Sequence, residues 1–124
     1  MLAVGSELNA DAIAAGRLKL VQGEVDELPW PPASFTCAAA VNVWFFVPRP
    51  EQTLRELARV LRSGGRLVIV TVGTNPHPAS TGPWAPALRT YSDSSMEAMV
   101  REAGFAAVSV AEPGPGLQSV RAVR

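Results

Sequence analysis

Cysteine and histidine occur once each, at Cys37 and His77. One thiol excludes an internal disulfide, and one thiol with one imidazole argues against a transition-metal site. Cys37 lies in an apolar run and is expected to be a small buried hydrophobe. His77 stands between Pro76 and Pro78, where an exposed, inert loop residue outweighs a general base. An excess of either charge is also missing, because 11 Lys and Arg balance 11 Asp and Glu. With no basic stripe and no interleaved aromatics, neither nucleic acid nor an anionic membrane is an expected partner. The longest apolar run, residues 37–47, is broken by Asn42 and too short to span a bilayer. No charged leader followed by an apolar stretch opens the chain, so a cytoplasmic protein is the expectation.

What is present suits one α/β domain over residues 1–124, with 48% apolar residues to build a core. Residues 1–15 read as a helix stopped by Gly16. Residues 17–22 alternate as a short strand. Residues 35–43, uncharged and mostly apolar, suit a strand buried on both faces. Leu54, Leu57, Ala58 and Leu61 make one stripe of a helix over 51–62. Ser63-Gly64-Gly65 stops it before a β-branched strand over 66–72, which suggests half of a right-handed crossover. Residues 73–91, with four prolines, form a long irregular loop. A helix over 94–103 starts at a Ser94–Glu97 capping box. Strands over 107–111 and 117–123, joined through Pro113-Gly114-Pro115-Gly116, close the pattern as an antiparallel hairpin and make the sheet mixed.

Four segments in this order carry a resemblance. They are residues 21–30 (VQGEVDELPW), residues 33–36 (ASFT), residues 55–69 (RELARVLRSGGRLVI), and Tyr91-Ser92-Asp93 with Glu102-Ala103-Gly104-Phe105. Together they resemble the class I S-adenosylmethionine-dependent methyltransferases, in the small-molecule group often called type 11. The resemblance implies a Rossmann-like sheet, S-adenosylmethionine as cofactor and a small-molecule methyl acceptor. It assigns Glu24 to the adenine amino group and the Val25 amide to the adenine ring. Val41, Asn42 and Val43 would line the methionine end, Met1 and Leu2 would cover the adenine, and Trp30 would stand near that pocket. Glu24 otherwise reads as a solvated carboxylate at a strand end. The Asn42 amide either satisfies local backbone or faces the cofactor. Asp26 and Glu27 read as a solvated pair rather than a proton-transfer dyad. Of Trp44, Phe45 and Phe46, at least one must face a cleft or an edge, since successive strand side chains alternate.

Thr36 replaces the family's usual Asp, and Phe45 and Phe46 replace a frequent His pair. The family's glycine-rich loop has no counterpart, since Gly114-Pro115-Gly116 is followed by no helical pattern. The expectation is a truncated methyltransferase fold without its first two strands, binding S-adenosylmethionine weakly or not at all. No catalytic residue is assigned. The strand from Thr36 would then expose an apolar edge open to self-association. The competing reading is a non-catalytic, oligomerising scaffold remnant of the same fold.

Overall fold

The computed structural model describes residues 2–74, 83 and 85–124. Eight regular elements follow one another: α1 (Leu2–Leu8), α2 (Ala10–Ala14), β1 (Phe35–Val41), α3 (Pro50–Val60), β2 (Leu61–Val72), α4 (Asp93–Glu102), β3 (Ala106–Ala111) and β4 (Leu117–Val123). Short 3-10 turns occupy Trp44–Phe46 and Ala85–Ala87. The strands form one sheet in the order β1-β2-β4-β3. β1 runs parallel to β2, while β4 is antiparallel to both β2 and β3, so the sheet is mixed and closes on the expected hairpin.

α3 starts with Pro50 at its first position and Glu51 in its first turn, both suited to a helix amino end. Its last carbonyls are not left bare. Ala33 N–H donates to Arg59 O at 2.9 Å and Ser34 N–H to Val60 O at 2.8 Å. These bonds lead the chain straight into β1. β2 begins directly after α3 and absorbs Gly64 and Gly65, so the strand is longer than the expected 66–72. Gly64 sits at φ +80, and a Cβ on Gly65 would lie 2.7 Å from Arg62 O. The pairing irregularity between Phe35 and Cys37 on β1 spans this bend.

The core lies on one face of the sheet, under α3 and α4, which also touch each other. Leu54, Leu67, Ile69, Met96, Val100 and Val120 are fully buried there. Side-chain alternation along the parallel pair puts Ala38 and Ala40 on this face beside Leu67 and Ile69. It puts Cys37 and Ala39 on the other face, beside Arg66 and Val68.

Several sequence expectations change. The first helix is two short pieces separated at Asn9, and neither buries a residue. Residues 17–22 form no strand and pair with none of the four strands of the sheet. β1 is an edge strand and is not buried on both faces, and Cys37 is consequently exposed. The cap of α4 is Ser92, whose Oγ accepts from Ser95 N–H at 3.2 Å, rather than Ser94. Glu97 pairs instead with Arg101 along the helix, at 3.0 Å. The remaining strands and helices fall within a few residues of expectation. His77 and Met1 lie outside the described residues.

Candidate functional site

Asn42 ends β1. It adopts φ 55, in the left-handed region that asparagine tolerates better than most residues, while its N–H still donates to Val70 O at 2.9 Å. The chain turns there into the 3-10 segment Trp44–Phe46. The strand therefore stops before Val43, and Asn42 is exposed rather than an interruption of a buried run. The three consecutive rings part company: Trp44 is buried, Phe45 is half-buried and Phe46 is exposed. Phe45 and Phe46 meet edge to face, with centroids 4.7 Å apart.

A groove of about 340 Å³ opens beside this turn. Val25 from the loop before β1, Val41 from the end of β1 and Val43 from the turn line it together, with Trp44, Thr53 and Leu57 deeper in. These residues come from three separate stretches of chain. Val25, Val41 and Val43 are each about half exposed, an unfavourable setting for three neighbouring apolar side chains unless something covers them. Deeper in, Trp44 Nε1 and Thr53 Oγ1 are both buried without a hydrogen-bond partner. An unmet buried donor costs roughly 1–3 kcal/mol, so this groove suits an occupant that is mostly apolar but brings a hydrogen-bond acceptor.

The lip of the groove is held by a polar clamp. Glu56 on α3 accepts the Leu28 N–H at 2.7 Å and the Arg59 Nε–H at 2.5 Å. Arg59 also donates to Trp30 O at 2.8 Å and to Leu28 O at 3.1 Å. The Arg59 hydrogen bonds hold the Glu56 carboxyl below its ordinary range, against the opposing effect of burial. Leu28, which the clamp grips through both its N–H and its carbonyl, is itself a groove residue. A larger charged depression of about 460 Å³ around the clamp is lined by Glu56 and Arg59 together with Asp26, Glu27, Arg49 and Gln52.

The other sequence candidates are placed as follows. Glu24 is exposed, and its carbonyl accepts the Glu27 N–H at 3.2 Å in a tight turn. It immediately precedes Val25 but does not line the groove. Leu2 lines a separate depression of about 620 Å³ with Leu20, Val21 and Gly23. The structure thus gathers Val25, Val41 and Val43, leaves Glu24 and Asn42 beside them, and sets Leu2 apart. Trp30 stacks edge to face on Phe35 with centroids 5.1 Å apart and is not a groove residue. Asp26 is not a solvated acid but an ion-pair partner of Arg49. Sequence reading missed Thr53, whose only signal is a hydroxyl among the apolar positions of α3. Among the described residues no cluster of three His, Cys, Asp or Glu could hold a metal ion, and no helix is long and apolar enough to cross a membrane.

The family model described as "Methyltransferase domain" matches residues 1–69. A ubiquinone/menaquinone biosynthesis C-methyltransferase from Rhizobium leguminosarum bv. trifolii is 39% identical over 70 residues, covering 56% of this chain and 27% of that protein. The corresponding protein of Hahella chejuensis is 37% identical over 78 residues, covering 61% and 31%. The chain therefore spans under a third of these relatives. Among solved structures, a SAM-dependent methyltransferase from Aquifex aeolicus superposes with TM-score 0.77 at 19% identity, covering 98% of this chain and 62% of that one. A second, from Thermotoga maritima, gives TM-score 0.75 at 21% identity, covering 95% and 70%.

Proposed function

Because the chain belongs to the class I S-adenosylmethionine-dependent methyltransferase family, we propose that the groove beside Asn42 is the adenosyl side of a methyltransferase site acting on a small-molecule acceptor. The observation that carries the reading is convergence: Val25 and the Val41–Val43 turn, far apart in sequence, wall one apolar groove. The residues fit a purine. Apolar side chains suit its faces, and the unpartnered Trp44 Nε1–H and Thr53 hydroxyl suit its ring nitrogens. The exposed Glu24 carboxylate beside Val25 suits an exocyclic amine, and Asn42 offers an amide at the same end of the sheet. When bound, S-adenosylmethionine supplies a methyl group on a positively charged sulfur. The protein's own contribution is to orient the ligand and to keep water away from the groove floor. Leu2, with Met1 before it, belongs to this reading only if α1 moves towards Val25.

The affinity of these 124 residues alone is expected to be weak, with no micromolar binding in calorimetry. A two-dimensional amide spectrum titrated with S-adenosylhomocysteine tests the site. The Val25, Val41 and Val43 amides and the Trp44 indole signal should move together. Shifts confined to other parts of the molecule would sink the assignment.

A second reading rests on the open edge of β1. Asn42 N–H points at β2, so the alternation of a parallel ladder turns the N–H and C=O of Cys37, Ala39 and Val41 outward. Such an edge is a template for another strand. On this reading the chain is an oligomerising module. Light scattering that stays monomeric at high concentration would exclude it.

A further inference from the structure

The face of the sheet turned away from α3 and α4 is chemically one-sided. Ala39, Val68, Arg121 and Ser109 form one row across it, because each is the partner of the next in successive strand pairs. Cys37 and Arg66 form the row beside it. Val68 is half-buried, and the other five are exposed. The four strands contain no Asp or Glu, so every side-chain charge they carry is positive. Neither Arg66 nor Arg121 has an ion-pair or hydrogen-bond partner among the described residues. The face is therefore a shallow apolar floor beside two unmatched guanidinium groups.

The complementary surface lies on the same chain. α1 and α2 bury no residue. The helical ladder carries through the break between them, since Asn9 N–H donates to Gly5 O at 3.1 Å and Ile13 N–H to Asn9 O at 3.0 Å. Val4, Glu7, Leu8 and Asp11 thus fall at the i, i+3, i+4, i+7 spacing of one helix stripe. Val4 is 57% and Leu8 79% exposed. Glu7 and Asp11 are exposed and have no partner among the described residues. Residues 2–16 contain no Lys or Arg, so this arm is purely acidic. Its other side is engaged within its own chain. Gly5 lies so close to Leu20 that a Cβ would stand 3.2 Å from Leu20 Cδ1, and Ser6 and Ile13 share a depression with Leu18.

We propose that this sheet face is an interface for a second copy of the chain, whose α1–α2 stripe lies across it. Val4 and Leu8 cover Ala39 and Val68, and Glu7 and Asp11 meet Arg66 and Arg121. The spacings agree. Carboxylates one helical turn apart have Cβ atoms about 5–6 Å apart. Arg66 and Arg121 are diagonal neighbours on adjacent strands, about 7–8 Å apart, a difference that arginine side chains take up. The small side chains of Cys37, Ala39 and Ser109 let a helix come close. The arm keeps its packing on Leu18 and Leu20, which is why a partner and not its own chain is the occupant. In a two-fold pair each copy gives one arm and receives one, so every contact occurs twice. The contact uses side chains on the face, not the backbone edge of β1, and it stands independently of the methyltransferase reading.

The test is sedimentation of the chain from micromolar to near-millimolar concentration. The unmodified protein should associate at low ionic strength and dissociate at about 1 M salt, where charges are screened beyond roughly 3 Å. A chain carrying Glu7→Lys and Asp11→Lys should be monomeric, and so should one carrying Arg66→Glu and Arg121→Glu, because each sets like charges together. Mixed, the two variants should associate again, since the basic arm of one fits the acidic face of the other and the unaltered arm and face still match. All four positions are exposed, and circular dichroism checks that both variants fold. An unmodified protein that stays monomeric at low salt would overturn the proposal, as would folded variants that fail to associate when mixed. Association that survives both charge reversals, with exchange protection at the Cys37, Ala39 and Val41 amides, would also overturn it and assign the contact to the edge of β1.

Discussion

Replacing Glu56 by alanine should release the loop that forms the lip of the groove. The carboxylate takes three hydrogen bonds, from Leu28 N–H at 2.7 Å, Arg59 Nε–H at 2.5 Å and Arg59 Nη2–H at 2.9 Å. Its side chain is 13% exposed. Hydrogen bonds to charged groups contribute about 1.5–3 kcal/mol each where they are desolvated, but these share one carboxylate and Arg59 is partly in water. A loss of about 2 kcal/mol is therefore expected rather than the sum. For a domain of this size that is a fall in Tm of roughly 6–10 °C. The pH dependence follows from the depressed Glu56 pKa. A carboxyl held below its unfolded value of 4.5 stabilises the fold fully above that pH. The contribution fades as pH falls through the folded pKa. Thermal melts of the wild type and Glu56→Gln, followed by circular dichroism, should differ most at neutral pH and converge as pH falls below 4.5 and through the folded pKa. Hydrogen exchange at the Leu28 amide should accelerate in Glu56→Ala. An unchanged Leu28 exchange rate, or a gap between the melts that does not narrow in acid, would refute the clamp.

Three further outcomes test the frame around the site. Leu54→Ala empties a fully buried position under the sheet and should cost about 2–5 kcal/mol, read by urea unfolding with an unchanged m-value. Gly65→Ala should be more harmful than Gly64→Ala. The first drives a Cβ to 2.7 Å from Arg62 O, whereas the second meets open space and is strained only by φ +80, a cost of roughly 1–2 kcal/mol. Ser92→Ala removes the cap of α4 and should cost about 1 kcal/mol, measured by the same unfolding assay.

The run from Arg55 to Ile69 was readable because each residue there answers to local rules. An apolar stripe and a β-branched segment specify a helix and a strand without help from distant chain, although the helix ends at Val60 and the strand takes in the glycine pair expected to separate them. Residues 17–22 show the opposite case. Their alternation is a condition for a strand but not a cause, since a ladder also needs the chain to bring the segment beside an edge, and residues 17–22 pair with none of the four strands. Cys37 failed for a related reason: apolar context predicts burial only where another layer covers that face. At the site, Val25, Val41 and Val43 were named by resemblance, and the groove brings them together. Gln118 was invisible in sequence. A glutamine in a strand carries no sign of being buried, yet this one is 2% exposed and its Nε2 donates to Tyr91 O and Asp93 Oδ1.

The strand order has a consequence for synthesis. β3 is made before β4, yet it joins the sheet only through β4, which lies between it and β2. During translation β3 must wait, with both of its flanks open, until seven later residues emerge and slide in between. The sheet cannot grow outward from its first pair in the order the ribosome delivers it. The nascent chain therefore carries a gap that only β4 fills, and its exposure to chaperones and to mispairing should last until Leu117–Val123 has cleared the exit tunnel.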